Sequence, residues 1–257
     1  MSSPIQPYAL SPHIAKLHIA DGVVQYDDQA ERRHKVAICG AGGVRTMPWD
    51  DPTYECWAIN NFWNVARDSA GRLAASRWWE QHRITPDSEG PHRMEDIQDP
   101  YDLRWIRECP VPLYTTEPMS ENPRAVVWPI DSYARKYRDY FTCTFAMMIV
   151  QAYDEGFEEL LVCGLELLRG TQREATVESS CVAYWLGFVE GRGMRVVLAP
   201  NHRVPYRRHG DDGRIGRLEP CQQWLLAHPY RYGHEYWLEA DWVKEYLSRW
   251  NERPVAV

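Results

Sequence analysis

Glycines follow the first strongly apolar run of the chain and are the first candidates for ligand binding. The run KVAICG, at 35–40, leads into Gly40-Ala41-Gly42-Gly43. Small residues let the backbone approach a ligand and expose N–H groups to anionic oxygens. The order does not match GxGxxG, because Arg45 stands where the third glycine would fall. A nucleotide-binding turn and a plain tight turn are therefore both open interpretations.

Two asparagines, Asn60 and Asn61, follow the second apolar run, YECWAI at 54–59. Their carboxamides can donate to and accept from a base or a ribose. Asparagine also favours turns, which is the alternative interpretation. In open α/β sheets ligands bind at the carboxyl ends of strands, where both the glycines and the asparagines are predicted to lie. Considered together, they favour ligand contact.

A third candidate is the predicted helix start at Phe141-Thr142-Cys143-Thr144. Thr142 is predicted to be the N-cap, because a threonine hydroxyl can accept a hydrogen bond from the first turn. The same helix end, with the hydroxyls of Thr142 and Thr144, can also attract an anion. The two interpretations are compatible.

Groups for proton transfer are candidates at three further positions. Gly164 ends an apolar run, and Glu166 follows it closely, so this carboxylate can bind a ribose hydroxyl or act as a base. His82 and His202 each follow a predicted strand and are candidate general bases. The alternatives are a solvated loop glutamate and structural histidines.

The elements that must position these residues alternate between strands and helices. Apolar runs without alternation, bounded by turns, are typical of strands buried on both faces of a parallel sheet. Strands are predicted at 35–40, 54–59, 77–81, 111–115, 125–128, 160–164 and 194–198, and helices at 102–109, 142–153, 179–190 and 235–251. The sequence therefore predicts an α/β, Rossmann-like single domain with a mostly parallel sheet flanked by helices.

The remaining parts are predicted to be an N-terminal arm at 1–34, a nucleotide-binding core at 35–200, and a basic loop with a C-terminal helix at 201–257. The helix is expected to pack on the core as an extension. The loop at 203–217 carries five arginines, which favours an anionic acceptor there. The oligomeric state is not predictable.

Composition excludes some classes of function. The net charge of −7 argues against a protein that coats nucleic acid without specificity. The seven cysteines include no CxxC pair, which is typical of reduced thiols and does not predict a zinc site. A signal-peptide pattern and an apolar run of the ~20 residues that a membrane helix needs are both missing. The sequence therefore predicts a cytoplasmic protein without membrane contact.

These motifs together resemble a family. The glycine turn, the Asn-Asn pair and the run FTCTFAMMIVQAYDEGFEELLVCGLEL at 141–167 are similar to the core of bacterial sialyltransferases that use CMP-sialic acid. They also resemble the group around hydroxymethylpterin pyrophosphokinase, and uncharacterised phage proteins. Those phage proteins carry Phe-Thr-Ser, Gly-Val-Asp and a late Tyr-Gly-Tyr-Glu. The counterparts in this chain are Phe141-Thr142-Cys143, Gly164-Leu165-Glu166 and Tyr232-Gly233-His234-Glu235.

The chain departs from the family in several places. Gly42-Gly43-Val44 stands where the sialyltransferases and the pyrophosphokinase group carry Gly-Pro-Ser, and Glu166 replaces an aspartate. The sialyltransferase helix opens with Thr-Ser-Gly, whereas this helix is predicted to open with Thr-Cys-Thr. These changes weaken the expectation that CMP-sialic acid is the donor.

The resemblance implies a metal-independent nucleotide site lined by Gly40, Gly42, Asn60, Thr142 and Thr144. It implies a phage-encoded, glycosyltransferase-like enzyme in the host cytoplasm. Such an enzyme transfers a sugar from a nucleotide-sugar to a hydroxyl, with no separate cofactor. One alternative is a non-catalytic nucleotide-binding or virion and interaction protein. Another is diphosphate or nucleotidyl transfer, which normally needs Mg²⁺ and carboxylates.

Overall fold

The structure is a computed structural model that describes residues 8–27, 32–40, 44–60, 62–81, 100–164 and 172–199. Two 3₁₀ turns, Val44–Thr46 and Phe62–Asn64, lie between strands. The strands are β1 (Leu17–Ala20), β2 (Val23–Tyr26), β3 (Lys35–Cys39), β4 (Tyr54–Ile59), β5 (Arg77–Trp79), β6 (Leu113–Thr115), β7 (Ala125–Val127), β8 (Glu159–Cys163) and β9 (Arg195–Leu198). The helices are α1 (Pro100–Glu108), α2 (Ile130–Lys136), α3 (Thr144–Asp154) and α4 (Gln172–Glu190).

Seven strands form one parallel sheet in the order β7-β6-β5-β4-β3-β8-β9. From β3 the chain adds strands in one direction as far as β7, and then returns to place β8 on the other side of β3. The predicted α/β class with a parallel sheet is confirmed, and every pairing in this sheet is parallel rather than mostly so. The boundary between β3 and β8 is a topological switch point of the kind at which α/β proteins bind ligands.

The strands are apolar because both faces of the sheet are covered. Side chains alternate between the two faces, so neighbouring strand residues belong to different cores. Ile38 and Trp57 pack in one core with α3 and α4. Ala37 and Trp78 pack in the other, together with Trp105 of α1. The unalternating runs of the sequence are therefore explained by two-sided burial.

The N-terminal arm contains a two-stranded antiparallel hairpin, β1–β2, in the part that is described. Its turn is Asp21-Gly22, with φ of 50° and 73°. Positive φ at both positions is required by the tight turn that matches the twist of a hairpin, and Asp-Gly satisfies it.

Several element boundaries differ from the predictions. Helix α4 begins at Gln172, before the predicted start at 179, and α2 was not predicted. The α2 helix is short and has no buried residue, so it leaves no apolar pattern in the sequence. The tail predictions at 201–257 lie outside the described residues.

Helix α3 ends in a C-terminal capping motif that fixes the position of Glu155, the residue directly after the helix. Gly156 has φ of 78°, its N–H donates to Tyr153 O, and the Phe157 N–H donates to Ala152 O. These two bonds satisfy the last carbonyls of the helix, and Phe157 is buried in the core. The geometry holds Glu155, the C-terminal cap, against the amino edge of the sheet.

A buried ion pair network occupies that edge. Arg77 begins β5 with only 1% of its surface exposed, and its Nε donates to Glu55 Oε1 at 2.7 Å. Both terminal nitrogens bind Glu155, at 2.6 and 2.7 Å. Tyr26 of the hairpin donates to Glu55 Oε2 at 2.6 Å and accepts from Arg77 at 3.1 Å. The network therefore joins β4, β5, α3 and the hairpin.

The guanidinium also lies over an aromatic ring, 4.9 Å from the centroid of Trp57. Burial alone would lower the pKa of Arg77, but the carboxylates of Glu55 and Glu155 raise the pKa well above its usual value. Gln151 extends the network by donating to Tyr114 Oη at 2.6 Å and to Glu155 Oε1 at 2.8 Å. Every member thus has partners, which is the condition under which buried polar networks are stable.

Replacing Arg77 with methionine should strongly destabilise the fold. The buried Glu55 and the half-buried Glu155 would remain without their cation, a loss typically of about 3–5 kcal/mol for a buried pair. The measurement is the free energy of unfolding from urea titration. Arg104→Met is the control, because Arg104 pairs with Glu108 on an exposed helix surface, where such pairs contribute about 0.5 kcal/mol or less. Equal losses in the two variants would contradict the structural role of Arg77.

Six of the seven cysteines are described, and all six are free and buried. Burial raises the pKa of Cys163 to about 11, although its thiol donates to Thr46 O at 3.5 Å. Burial likewise raises the pKa of Cys109 to about 12. At neutral pH these thiols are therefore protonated and shielded from reagents.

A thiol titration should reveal this burial. In native protein at neutral pH we expect no more than one thiol to react rapidly with Ellman's reagent, namely Cys221, which lies outside the described residues. All seven should react in concentrated urea. Two or more rapid thiols in the native protein would show that the described cysteines are more accessible than the structure indicates.

Candidate functional site

The candidate site is the carboxyl edge of the sheet, on both sides of the switch point. Gly40 follows β3 and Gly164 follows β8, and the two strands are paired up to Cys39 and Cys163. The Gly40 N–H donates to Cys163 O at 2.8 Å, so this amide belongs to the sheet. Gly164 has φ of 57°, a conformation that glycine adopts without strain. Neither strand end carries a side chain, and both glycines are buried.

Asn60 directly follows the neighbouring strand, β4, and combines a left-handed backbone conformation with an unpartnered side-chain oxygen. Its φ is 50°, in the left-handed region, and its N–H donates to Trp79 O at 2.9 Å. Its carbonyl accepts from Trp78 Nε1 at 2.8 Å. The side-chain Oδ1 is buried and has no hydrogen-bond partner among the described residues. A buried acceptor left in this state typically costs about 1–3 kcal/mol.

Helix α3 brings its N-terminus toward the same edge, because it contacts β3 and leads through a short connection into the start of β8. The prediction that Thr142 is the N-cap is wrong: the cap is Cys143, in an extended conformation without a side-chain capping bond. The Thr142 hydroxyl instead donates to Val177 O of α4 at 3.3 Å. Thr144 is the first helical residue and is 7% exposed.

The absence of a side-chain cap has a physical consequence. The first N–H groups of a helix have no partner within the helix, and the positive end of its dipole lies there. Cys143 offers a thiol, which is a weak acceptor, and burial raises its pKa well above the usual value. In the first turn of α3 the Ala146 N–H donates to Cys143 O at 3.1 Å, and Cys143 makes no side-chain capping bond to the N–H groups before it.

One polar side chain at this edge was missed by the sequence analysis. Glu80 follows β5 directly and is 4% exposed, and its N–H donates to Tyr114 O at 2.9 Å. Gln81 follows it and donates from Nε2 to the same carbonyl at 3.0 Å. The strand predicted at 77–81 includes both residues at its end. A carboxylate directly after a strand was the signal that could have drawn attention to Glu80.

The structure thus brings Gly40, Asn60 and Gly164 to one edge, together with the start of α3, and turns the hydroxyl of Thr142 toward α4. The other predicted site residues lie outside the described residues: Ala41, Gly42, Asn61, His82, Glu166 and His202. The arginine-rich loop at 203–217 lies outside them as well.

Within the described ranges, no cluster of three or more histidine, cysteine, aspartate or glutamate side chains is arranged to hold a metal ion. No helix in that part of the chain is long and apolar enough to cross a membrane.

The fold and the site define the protein as an α/β protein with an all-parallel sheet and a candidate ligand site at the carboxyl edge. The chain matches no family model, and neither a curated protein nor a solved structure matches it. The function must therefore be argued from the geometry of this edge and from the motifs of the sequence.

Two substitutions at Asn60 should separate its backbone from its side chain. Glycine adopts positive φ freely and removes the unpartnered oxygen, so Asn60→Gly should leave the free energy of unfolding unchanged or raise it. Asn60→Ala should be about 1 kcal/mol less stable than Asn60→Gly, since alanine is strained there. Urea titration measures both. If alanine were as stable as glycine, the left-handed conformation would not constrain this position.

Proposed function

We propose that the carboxyl edge around β3, β4 and β8 binds a nucleotide, and that the protein is a glycosyltransferase-like enzyme with a nucleotide-sugar donor. The observation that carries the proposal is Asn60, where a strained backbone holds a buried acceptor without a partner among the described residues. Strained residues and unsatisfied polar groups concentrate at functional sites. A base or ribose donor would supply the missing hydrogen bond.

The phosphates of such a ligand belong at the switch point. Gly40 and Gly164 present no side chains there, and the start of α3 offers N–H groups and a positive dipole end. The same dipole would stabilise the charge that develops on the phosphate as the sugar leaves. Phosphate binding by backbone N–H groups is the mode expected of metal-independent sugar transfer, whereas diphosphate or nucleotidyl transfer normally uses Mg²⁺.

Transfer to a hydroxyl also needs a group that takes the acceptor proton. Glu166, His82 and His202 are the candidates from the sequence, and the arginine-rich loop at 203–217 is the candidate contact for an anionic acceptor. We propose that the enzyme acts in the cytoplasm, which is the host's cytoplasm if a phage encodes it. The free cysteines and the resemblance to phage proteins support this proposal.

A thermal-shift screen tests the proposal. Purified protein is heated with nucleotides and nucleotide-sugars, with Mg²⁺ or with EDTA. A ligand at a hundred times its Kd stabilises the native state by about 2.7 kcal/mol, which corresponds to a Tm increase of roughly 5–10 °C for a chain of this size. We expect such a shift with at least one nucleotide-sugar, of equal size with either additive.

Asn60→Gly supplies the test of the site, because it keeps the backbone conformation and removes the side chain. We expect it to weaken binding of that nucleotide-sugar by about tenfold. The control is Asn64→Gly, at an exposed asparagine of the neighbouring 3₁₀ turn. Absence of any nucleotide shift would refute the proposal. Binding without consumption of the nucleotide-sugar would favour a non-catalytic nucleotide-binding protein, and a shift that requires Mg²⁺ would favour diphosphate or nucleotidyl transfer.

A further inference from the structure

A cluster of aromatic side chains lies on the α1 side of the sheet and contacts Asn60. Trp78 of β5 donates from Nε1 to the carbonyl of Asn60 at 2.8 Å, and its ring packs edge-on against Trp105 of α1, with 4.7 Å between centroids. Trp63, in the 3₁₀ turn after β4, stacks on Trp105 at 6.1 Å. Tyr8 meets both rings edge-on, at 5.0 Å from Trp105 and 6.2 Å from Trp63. These contacts connect the carboxyl end of β4 to α1.

Two polar atoms of this cluster are buried without a hydrogen-bond partner among the described residues. They are the indole Nε1 of Trp105, a residue that is 1% exposed, and the hydroxyl of Tyr8. The Oδ1 atom of Asn60 is in the same state. Buried polar atoms of folded proteins are nearly always hydrogen-bonded, so three exceptions that are joined by one series of contacts indicate a place where a ligand binds.

The three atoms offer both kinds of hydrogen bonding. An indole N–H only donates, and an amide oxygen only accepts. Burial, together with the nearby carboxylate of Glu108, raises the pKa of Tyr8, so its hydroxyl keeps the proton at neutral pH and can donate as well. A nucleobase carries ring and carbonyl acceptors beside N–H donors, and its flat faces pack well against aromatic side chains. Its chemistry therefore matches the cluster.

The aromatic cluster and the switch point lie on opposite sides of Asn60. In the strand order β8-β3-β4-β5, the switch point precedes β4, whereas the cluster begins at Trp78 of β5. Asn60 directly follows β4, so a ligand that extends from the switch point toward α1 passes this residue. Tyr8 is half-buried, which brings the cluster to the protein surface, and Trp105 lies inside it.

We propose that Tyr8 and Trp105 bind the base of the nucleotide, on the α1 side of the sheet. The inference rests on the proposed nucleotide site and adds its direction, from the phosphates at the switch point, past Asn60, to the base at the aromatic cluster. The Tyr8 hydroxyl and the Trp105 N–H donate to acceptors of the base. Asn60 Oδ1 accepts from the sugar or from the base.

The experiment compares nucleotides with ribose 5-phosphate, which lacks the base. The probes are the four common ribonucleoside 5′-monophosphates and ribose 5-phosphate, titrated calorimetrically into the full chain. For the wild type we expect the best nucleotide to bind about thirtyfold more tightly than ribose 5-phosphate, because the base adds aromatic contact and hydrogen bonds.

Tyr8→Phe removes only the hydroxyl, and we expect it to lower that ratio of affinities about fivefold, the contribution of one hydrogen bond. The same variant should keep or raise the midpoint of urea unfolding, because it removes a buried group that has no partner within the described residues. A residue with a purely structural role would not show this combination.

The control is Tyr26→Phe, which removes a hydroxyl that donates to Glu55 and accepts from Arg77. We expect the opposite pattern, a lower midpoint of urea unfolding and an unchanged ratio of affinities. If no monophosphate binds the wild type, the nucleotide site itself is refuted, and this inference with it. If the best nucleotide binds no more tightly than ribose 5-phosphate, or if Tyr8→Phe keeps the wild-type ratio, the nucleotide site stands and the role of Tyr8 and Trp105 is refuted.

Discussion

Arg77 is the buried cation that the elements at the amino edge of the sheet share. Its guanidinium is buried, donates to carboxylates from β4 and from the end of α3, and also donates to Tyr26 of the hairpin. Removing a charge from water is unfavourable unless several partners replace the solvent, so all these elements must be in place together. The network therefore sets the position of α3 relative to the sheet, and through α3 the position of the opposite helix end.

The two edges of the sheet differ in the hydrogen bonding of their buried polar groups. At the amino edge each polar group of the Arg77 network has a partner, and Glu159 likewise binds Arg195 at 2.6 Å. At the carboxyl edge Asn60 keeps a buried oxygen without a partner among the described residues, and α3 begins without a side-chain cap. The amino edge therefore contributes to the stability of the fold, whereas the unpartnered Oδ1 of Asn60 makes the carboxyl edge the candidate place for ligand contact.

Much of the fold was predictable from the sequence, because two-sided burial produces apolar runs that mark β3, β4 and β8 almost to the residue. The helix ends were less predictable: the cap of α3 is Cys143, a residue type that capping rules do not favour. The place of Gly40, Asn60 and Gly164 at the carboxyl edge was predictable because strand ends follow from strand positions. The buried ion-pair network of Arg77 and the burial of Glu80 were not predicted, since both depend on neighbours that are distant in the sequence.

The interior position of β3, with a partner strand on each side, affects the order in which the chain can fold. Its first partner, β4, is the next strand of the sheet, whereas its second partner, β8, comes late in the chain. During synthesis one side of β3 therefore stays an open edge, with unpaired N–H and C=O groups, until the segment that contains β8 has emerged. Pairing across such a distance forms slowly. A strand that is interior in the finished sheet is thus an edge strand, open to wrong partners, in the nascent chain.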